Sequence, residues 1–126
     1  MLSIEATKST PRIHYSEERR TLEVFGESYP ENSFSFFAPV FAWFHAELPG
    51  LAELTLEVNV KYMNSSSTKC MLDMLDLLVE AARKGCRTRV RWLHEAGNDR
   101  ALELAEEFKE EVDIPFEIVA IGAVKE

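Results

Sequence analysis

Apolar and polar residues alternate along several segments of the chain, and this two-residue period is typical of β-strands. The longest alternating segment covers residues 54–63, and shorter ones cover residues 13–15, 21–25, 88–93 and 116–121. The segments at 13–15 and 21–25 are separated by a charged tip, so together they predict a β-hairpin. The alternation therefore predicts a sheet whose longest strand lies in the middle of the chain.

Three other segments have the apolar spacing of helices. Residues 34–48 are apolar on nearly every side, whereas residues 70–85 and 99–112 each carry one apolar stripe. The polar side of the second helix has charges at three- and four-residue intervals, which favours a solvated ion network. Its members are Lys69, Asp73, Asp76, Glu80 and Arg83.

The first predicted helix has mixed signals at its start. Ser28 and Glu31 have the spacing of a capping box, and Pro30 suits a first helical turn, so we expect the helix to begin there. Pro39 is expected to kink the helix or to mark its true beginning. The aromatic residues of 34–48 predict a core helix or, alternatively, a surface for a partner.

The predicted elements follow the order hairpin, helix, strand, helix, strand, helix, strand. Strands separated by single helices predict right-handed crossovers and a largely parallel sheet, with the hairpin as an antiparallel edge. We therefore predict an α/β fold: one domain over residues 1–126, with a mixed, mostly parallel sheet, an N-terminal β-hairpin and about three helices. Residues 1–10 are expected to be a loosely ordered lead-in.

Composition and charge exclude several classes of protein. The chain is 46% apolar with a net charge of −8, which is typical of a globular protein and argues against a nucleic-acid surface. The basic residues of 83–91 are interpreted as a helix end that runs into a strand, where Lys and Arg complement the carbonyl end of the helix. Two cysteines without metal-ligand spacing favour a reduced cytoplasmic protein. The first ten residues lack the apolar core of a signal peptide, and no apolar run is long enough for membrane insertion.

Candidate catalytic and metal-binding residues are scarce. His14, His45 and His94 have no ligand spacing, and no glycine-rich phosphate loop occurs, so neither a metal nor a cofactor is predicted. Ser66 and Lys69 fit the S-x-x-K pattern of acyl enzymes, but the companion motifs of that class are missing. No other nucleophile has an evident base, so the sequence favours a protein that is not an enzyme.

Residues 64–69, with the sequence NSSSTK, join the longest predicted strand to the second predicted helix. Ser65 or Ser66 is a candidate N-cap, since its oxygen can accept from a free backbone N–H. The hydroxyls also lie at the positive end of a helix, where a phosphate is tolerated. Three interpretations stay open: a simple cap, a site of phosphorylation, or a site that binds a small anion or nucleotide.

Three segments resemble the SiaC family of bacterial regulatory phosphoproteins. They are GESYPENS at 26–33, YMNSSSTK at 62–69 and LAEEFKE at 104–110, with Pro115-Phe116 after them. The arrangement is also similar to the STAS domains of anti-sigma-factor antagonists, which carry a phosphorylated hydroxyl at a strand-to-helix turn. The resemblance implies a STAS-like fold and a protein that exchanges partners.

The resemblance implies that, as in the SiaC family, a kinase phosphorylates the hydroxyl after the Asn and a PP2C-type phosphatase removes the phosphate. The unmodified form binds a diguanylate cyclase, which links the protein to cyclic di-GMP synthesis and biofilm formation. The acceptor here is then Ser65, where a family member has Thr, with Ser66, Ser67 and Thr68 as alternatives. Asn64 and Lys69 would support the turn, and the candidates for partner binding are Tyr29, Glu31, Asn32, Tyr62, Asp73 and Asp76.

Overall fold

The structure, a computed structural model, describes residues 2–122. Its α-helices are α1 (Ser33–Glu47), α2 (Ser65–Arg83) and α3 (Asp99–Glu111), and a short 3-10 helix at Leu48–Gly50 follows α1. Its strands are β1 (Ser3–Ile4), β2 (Arg12–Ser16), β3 (Thr21–Ser28), β4 (Glu53–Met63), β5 (Arg87–Glu95) and β6 (Phe116–Ile121). No helix among these residues is both long and apolar enough to cross a membrane.

The six strands form one sheet in which they lie in the order of the sequence. Strands β1 to β3 pair antiparallel, and β3 to β6 pair parallel. The predicted α/β class is therefore confirmed, with its N-terminal hairpin, three helices and mostly parallel sheet. Sequential strands joined by crossovers of one hand must carry their helices on one face of the sheet.

The contacts between layers show this single covered face. Residues paired across neighbouring strands project to the same side, and one such row consists of Tyr15, Leu22, Leu56, Val90 and Phe116. Trp43 of α1 lies 4.8 Å from Tyr15 between ring centroids. Thr88 donates to the Leu78 carbonyl of α2 at 3.0 Å, and Trp92 lies 5.0 Å from Phe108 of α3. All three helices thus bury the same face.

The other face of the sheet carries charged residues instead. Glu23 on β3 and Glu57 on β4 are paired in register, and Arg91 on β5 is next in the row. Arg12 donates to Glu23 at 2.8 Å, while Arg19 and Arg91 lie 3.5 and 3.3 Å from Glu57. These arginines neutralise the negative charges of Glu23 and Glu57, which are largely shielded from solvent and would be costly without a partner.

Three predictions about local structure are wrong. Ser28 does not cap a helix, because pairing with Met63 extends β3 as far as Ser28. The expectation that Pro39 marks the start of α1 is wrong, because the helix runs through it from Ser33; the alternative expectation of a kink stays a prediction. The strand predicted at 88–93 ends too early, because pairing with Ala120 keeps His94 in β5 and buried.

One further prediction is confirmed and another needs correction. The basic stretch 83–91 is a helix end that runs into a strand, as predicted: Arg83 lies in the last turn of α2, and Arg87, Arg89 and Arg91 are exposed residues of β5 that alternate with buried ones. Within the lead-in, expected to be loosely ordered, Ser3 and Ile4 pair with β2. Backbone hydrogen bonding therefore attaches part of the lead-in to the edge of the sheet.

Candidate functional site

The starts of α1 and α2 meet at the carboxyl ends of β3 and β4. The backbone N–H of Asn64 donates to the Ser28 carbonyl at 2.9 Å, which joins the ends of the two strands. The Ser33 hydroxyl, at the first position of α1, lies 3.4 Å from the Asn64 amide oxygen. This is the edge of a parallel sheet at which ligand and regulatory sites commonly lie.

The N-cap of α2 is Asn64, so the prediction of Ser65 or Ser66 as the cap is wrong. Asn64 is extended (φ −77°, ψ 174°), and its Oδ1 accepts from the Ser67 N–H at 2.9 Å. Its Nδ2 also donates to the Pro30 carbonyl at 3.3 Å. The amide side chain therefore fixes the start of α2 and the turn before α1 at the same time.

Three of the four hydroxyls after Asn64 form internal hydrogen bonds. Ser67 is 1% exposed, and its Oγ lies 2.7 Å from Ser28 Oγ and 2.9 Å from Ser33 Oγ. Ser66 donates to Ser33 Oγ at 2.8 Å, and Thr68 donates to the Asn64 carbonyl at 3.0 Å. We call Ser28, Ser33, Ser66 and Ser67 the serine cluster; it ties α1 to α2 and to β3.

Ser65 differs from its neighbours because its side chain is exposed to solvent. Its hydroxyl has no hydrogen-bond partner among residues 2–122, although it occupies the first position of α2. Ser66 and Thr68 are half-buried, and Ser67 is buried. Of the four candidate acceptors, Ser65 is therefore the one whose oxygen an enzyme can reach without breaking an existing contact.

Lys69 and the two aspartates lie on the solvent side of α2, as predicted from their spacing. The Lys69 ammonium donates to Asp73 at 2.9 Å, and this hydrogen bond raises the pKa of Lys69. Asp73 is half-buried and Asp76 is exposed. The positive charge four residues after Ser65 is thus already paired with a carboxylate, although in solvent such a pair is weak.

Exposed aromatic side chains lie beside the turn. Tyr29, Phe34 and Tyr62 are 36%, 57% and 52% exposed, and the two tyrosine rings meet edge to face with centroids 5.9 Å apart. We call these three residues the aromatic patch. Tyr29 and Tyr62 adjoin the paired residues Ser28 and Met63, so the patch begins where β3 and β4 end.

An extra residue in β4 exposes Tyr62. Gly26 pairs with Val60 and Ser28 pairs with Met63, so two steps along β3 match three steps along β4. A bulge of this kind interrupts the alternation of the strand and redirects side chains. Both Lys61 and Tyr62 are exposed as a result, while Met63 returns to the core.

Some of these roles are not evident from the sequence alone. Ser28 and Ser33 were not recognised as partners of the hydroxyl turn, and Phe34 was assigned to an apolar helix without being singled out. Asn32, a predicted partner-binding residue, also caps α1 by accepting from Ser35 N–H at 3.0 Å. Glu31 beside it is exposed. The burial of Ser67 could have been inferred from the helical period, since Ser67 lies three and four residues before the buried Cys70 and Met71.

Most side-chain hydroxyls of the turn already have partners within the protein. The Ser67 N–H is already occupied by Asn64, and the hydroxyls of Ser66, Ser67 and Thr68 are engaged within the protein. Within residues 2–122, no three His, Cys, Asp or Glu side chains form a group that could hold a metal ion. The arrangement instead presents one free hydroxyl on a rigid support, which suits covalent modification.

Comparison with known proteins gives consistent matches. The family model for SiaC family regulatory phosphoproteins matches residues 4–121. An uncharacterised protein of Pseudomonas aeruginosa strain UCBPP-PA14 is 42% identical over 120 residues, which cover 94% of this chain and 95% of that protein.

Solved structures match over nearly the same length. SiaC of Pseudomonas aeruginosa is 41% identical with a TM-score of 0.87, covering 95% of this chain and 98% of that one. A crystal structure of the diguanylate cyclase SiaD in complex with its activator SiaC, from the same species, matches with a TM-score of 0.90 at 41% identity. That match covers 96% of this chain and the whole of the solved one.

Proposed function

Because the chain belongs to the SiaC family of regulatory phosphoproteins, we propose that it is a non-enzymatic switch that binds and activates a diguanylate cyclase. Phosphorylation of Ser65 ends this binding, and removal of the phosphate restores it. The proposal is supported by the relative that was solved as an activator in complex with such a cyclase. The output is a change in cyclic di-GMP synthesis and, through it, in biofilm formation.

The observation that carries the proposal is the contrast between Ser65 and its neighbours. Ser65 is exposed without a hydrogen-bond partner in the described chain, while Ser66, Ser67 and Thr68 donate or accept within the protein. A kinase must bring the acceptor oxygen in line with the γ-phosphate of ATP. Ser65 meets this requirement without unfolding of α2.

A phosphate on Ser65 is compatible with the fold but not with an apolar contact. It would add about −1.5 to −2 charges at the start of a helix, where the helix dipole favours negative charge. Lys69, four residues along, is shared with Asp73 and would neutralise only part of that charge. The remaining charge opposes burial because removing a phosphate from water without a counter-ion is costly.

The aromatic patch is the part of the cyclase-binding surface that the phosphate would affect. Neighbouring exposed aromatic residues can mark an interaction site, and Tyr is a frequent anchor of interfaces. Phe34 follows Ser33, which contacts Ser66, so the patch is continuous with the turn that carries Ser65. Glu31, Asn32, Asp73 and Asp76 then form the polar rim of the same interface.

Two enzymes complete the proposed cycle, a protein kinase and a PP2C-type phosphatase that both act on Ser65. Phosphoryl transfer to a serine hydroxyl draws on ATP, so we place the cycle in the cytoplasm. The kinase is expected to recognise the turn as a folded shape, since Asn64 and the serine cluster fix the position of Ser65.

The proposal is tested by measuring the affinity of the cognate diguanylate cyclase for purified variants. Ser65→Ala is expected to bind as the unmodified protein does, and Ser65→Asp to bind at least about tenfold more weakly, since a buried unpaired charge costs more than 1.4 kcal/mol. Ser3→Asp serves as the matched control, because Ser3 is an exposed serine on the edge strand β1. Equal affinities for the two Ser65 variants would contradict the switch.

A further inference from the structure

A second notable surface lies at the opposite end of the sheet from Ser65. The amino ends of β3, β4 and β5 border a cavity of about 680 Å³. Four arginines line it: Arg19, Arg20, Arg87 and Arg89. We call this cavity the arginine cleft. So many guanidinium groups in one place are unexpected in a chain with a net charge of −8.

The arginines of the cleft are unequally neutralised. Arg19 is bound to Glu23 at 2.7 Å and to Glu57 at 3.5 Å, and Arg87 lies 3.7 Å from Glu53. Within residues 2–122, Arg20 and Arg89 form no ion pair with a carboxylate. Two guanidinium groups in the cleft therefore keep their charge available for an external anion.

One strand residue contacts both of these arginines, Arg20 through its backbone and Arg89 through its side chain. The Thr55 N–H donates to the Arg20 carbonyl at 2.9 Å, and the Thr55 hydroxyl accepts from Arg89 Nε at 3.1 Å. Arg20 has a φ of 52°, the left-handed conformation that closes the turn before β3. The Arg89 contact uses only Nε, so its terminal NH₂ groups stay free to form further hydrogen bonds.

We propose that the arginine cleft binds a small molecule that carries two or more phosphate groups. Guanidinium groups form paired hydrogen bonds with phosphate oxygens, which suits this chemistry better than any neutral ligand. The volume falls within the range of small-molecule sites, about 300–1,000 Å³. Glu53 and Asp113 also line the cleft, but the four arginines outnumber them, so the net charge of the lining is positive. The attraction then grows with the number of negative charges on the ligand.

The strand pattern shows that Arg87 and Arg89 are surface residues of β5 and do not belong to a helix end. Arg87 and Arg89 alternate with the buried Thr88 and Val90, so both project away from the helix layer. They therefore lie on the sheet face that no described helix covers. Because the cleft and Ser65 lie at opposite ends of the sheet, we expect ligand binding not to depend on whether Ser65 carries a phosphate.

The proposal is tested by calorimetric titration of the unmodified protein with inorganic pyrophosphate at fixed ionic strength. Saturable binding of one equivalent is expected, and the double variant Arg20→Gln/Arg89→Gln is expected to bind at least about tenfold more weakly. The matched control is Arg83→Gln/Arg100→Gln, which removes the same two charges from exposed helix positions outside the cleft. The control is expected to bind within about twofold of the unaltered protein.

Several results would overturn the proposal. One is the absence of saturable pyrophosphate binding. Another is a control variant that weakens pyrophosphate binding as much as the double variant does, because that would indicate a general electrostatic effect of the lost charges and no specific site. Binding of a hexaglutamate peptide without binding of pyrophosphate would identify the cleft as a contact for an acidic protein segment. If circular dichroism shows that the double variant is unfolded, the exposed single variant Arg89→Gln is compared with Arg83→Gln in the same way, with at least about threefold weakening expected.

Discussion

The serine cluster can be tested by a double-mutant cycle on Ser28 and Ser67. Their hydroxyls lie 2.7 Å apart, and both side chains are 1% exposed. Ser67 also contacts Ser33 at 2.9 Å, whereas Ser67 is the one side-chain partner of Ser28 Oγ among the described residues. The two hydroxyls therefore contribute unequally to the free energy of unfolding.

The expected magnitudes follow from the partners that each change leaves behind. Ser28→Ala removes one buried hydrogen bond and should lower the free energy of unfolding by about 1 kcal/mol. Ser67→Ala removes two hydrogen bonds and leaves the Ser28 hydroxyl buried without a partner, so about 2 kcal/mol is expected, within a range of about 1–3 kcal/mol. Ser33 retains its bond from Ser66 in that variant.

The decisive quantity is the change in the free energy of unfolding when Ser28→Ala is added to Ser67→Ala. Once Ser67 is alanine, Ser28→Ala removes a buried hydroxyl that has already lost its partner. It should then cost nothing or stabilise the protein slightly, which gives a coupling energy of about 1 kcal/mol.

Urea unfolding followed by circular dichroism supplies the four free energies, provided that the transitions are two-state. Ser35→Ala is the control, since Ser35 is an exposed serine near the start of α1, and it should change stability by less than about 0.5 kcal/mol. Additive costs, with a coupling energy below about 0.3 kcal/mol, would refute the inferred hydrogen bond between Ser28 and Ser67.

Three further predictions concern the cap, the core and the thiols. Asn64→Ala should lower the free energy of unfolding by about 0.5–2 kcal/mol in thermal melts, because the Ser67 N–H loses its acceptor, and Asn64→Asp should restore most of the loss. Leu75→Ala should cost about 2–5 kcal/mol in urea unfolding, since Leu75 is 0% exposed, and a smaller loss would argue against its place in the core. Cys86 should react with a thiol reagent before Cys70, because Cys70 is 0% exposed and the reagent cannot reach it. Burial raises the pKa of both thiols, so both reactions should be slower than that of a free cysteine. Faster reaction of Cys70 would contradict its burial.

The layout of the fold was predictable from the sequence because its signals are local. The alternation of β4 and the apolar stripe of α2 each lie within one continuous segment, so a period of two or of 3.6 residues identifies them. The same holds for α3 and β6, whose predicted bounds differ from those of the structure by a residue at most. The order of these elements then implies the parallel sheet with its crossovers.

The details of the site depend on contacts between distant segments. Ser28 and Glu31 have the spacing of a capping box, yet pairing of Ser28 with Met63 keeps Ser28 in a strand. The bulge that exposes Tyr62 depends on the register between β3 and β4, which neither strand specifies alone. Likewise, Ser66 is chemically identical to Ser65, and its contact with the Ser33 hydroxyl of α1 distinguishes the two.

The position of the phosphate is the most direct test of the switch. The protein is incubated with its cognate kinase and ATP, and the modified residue is mapped by mass spectrometry, in parallel with Ser65→Ala and Ser66→Ala. A single phosphate on Ser65, present in Ser66→Ala and absent in Ser65→Ala, is the predicted result. Phosphate that persists in Ser65→Ala, on Ser66 or Thr68, would contradict the assignment of Ser65 as the regulated residue.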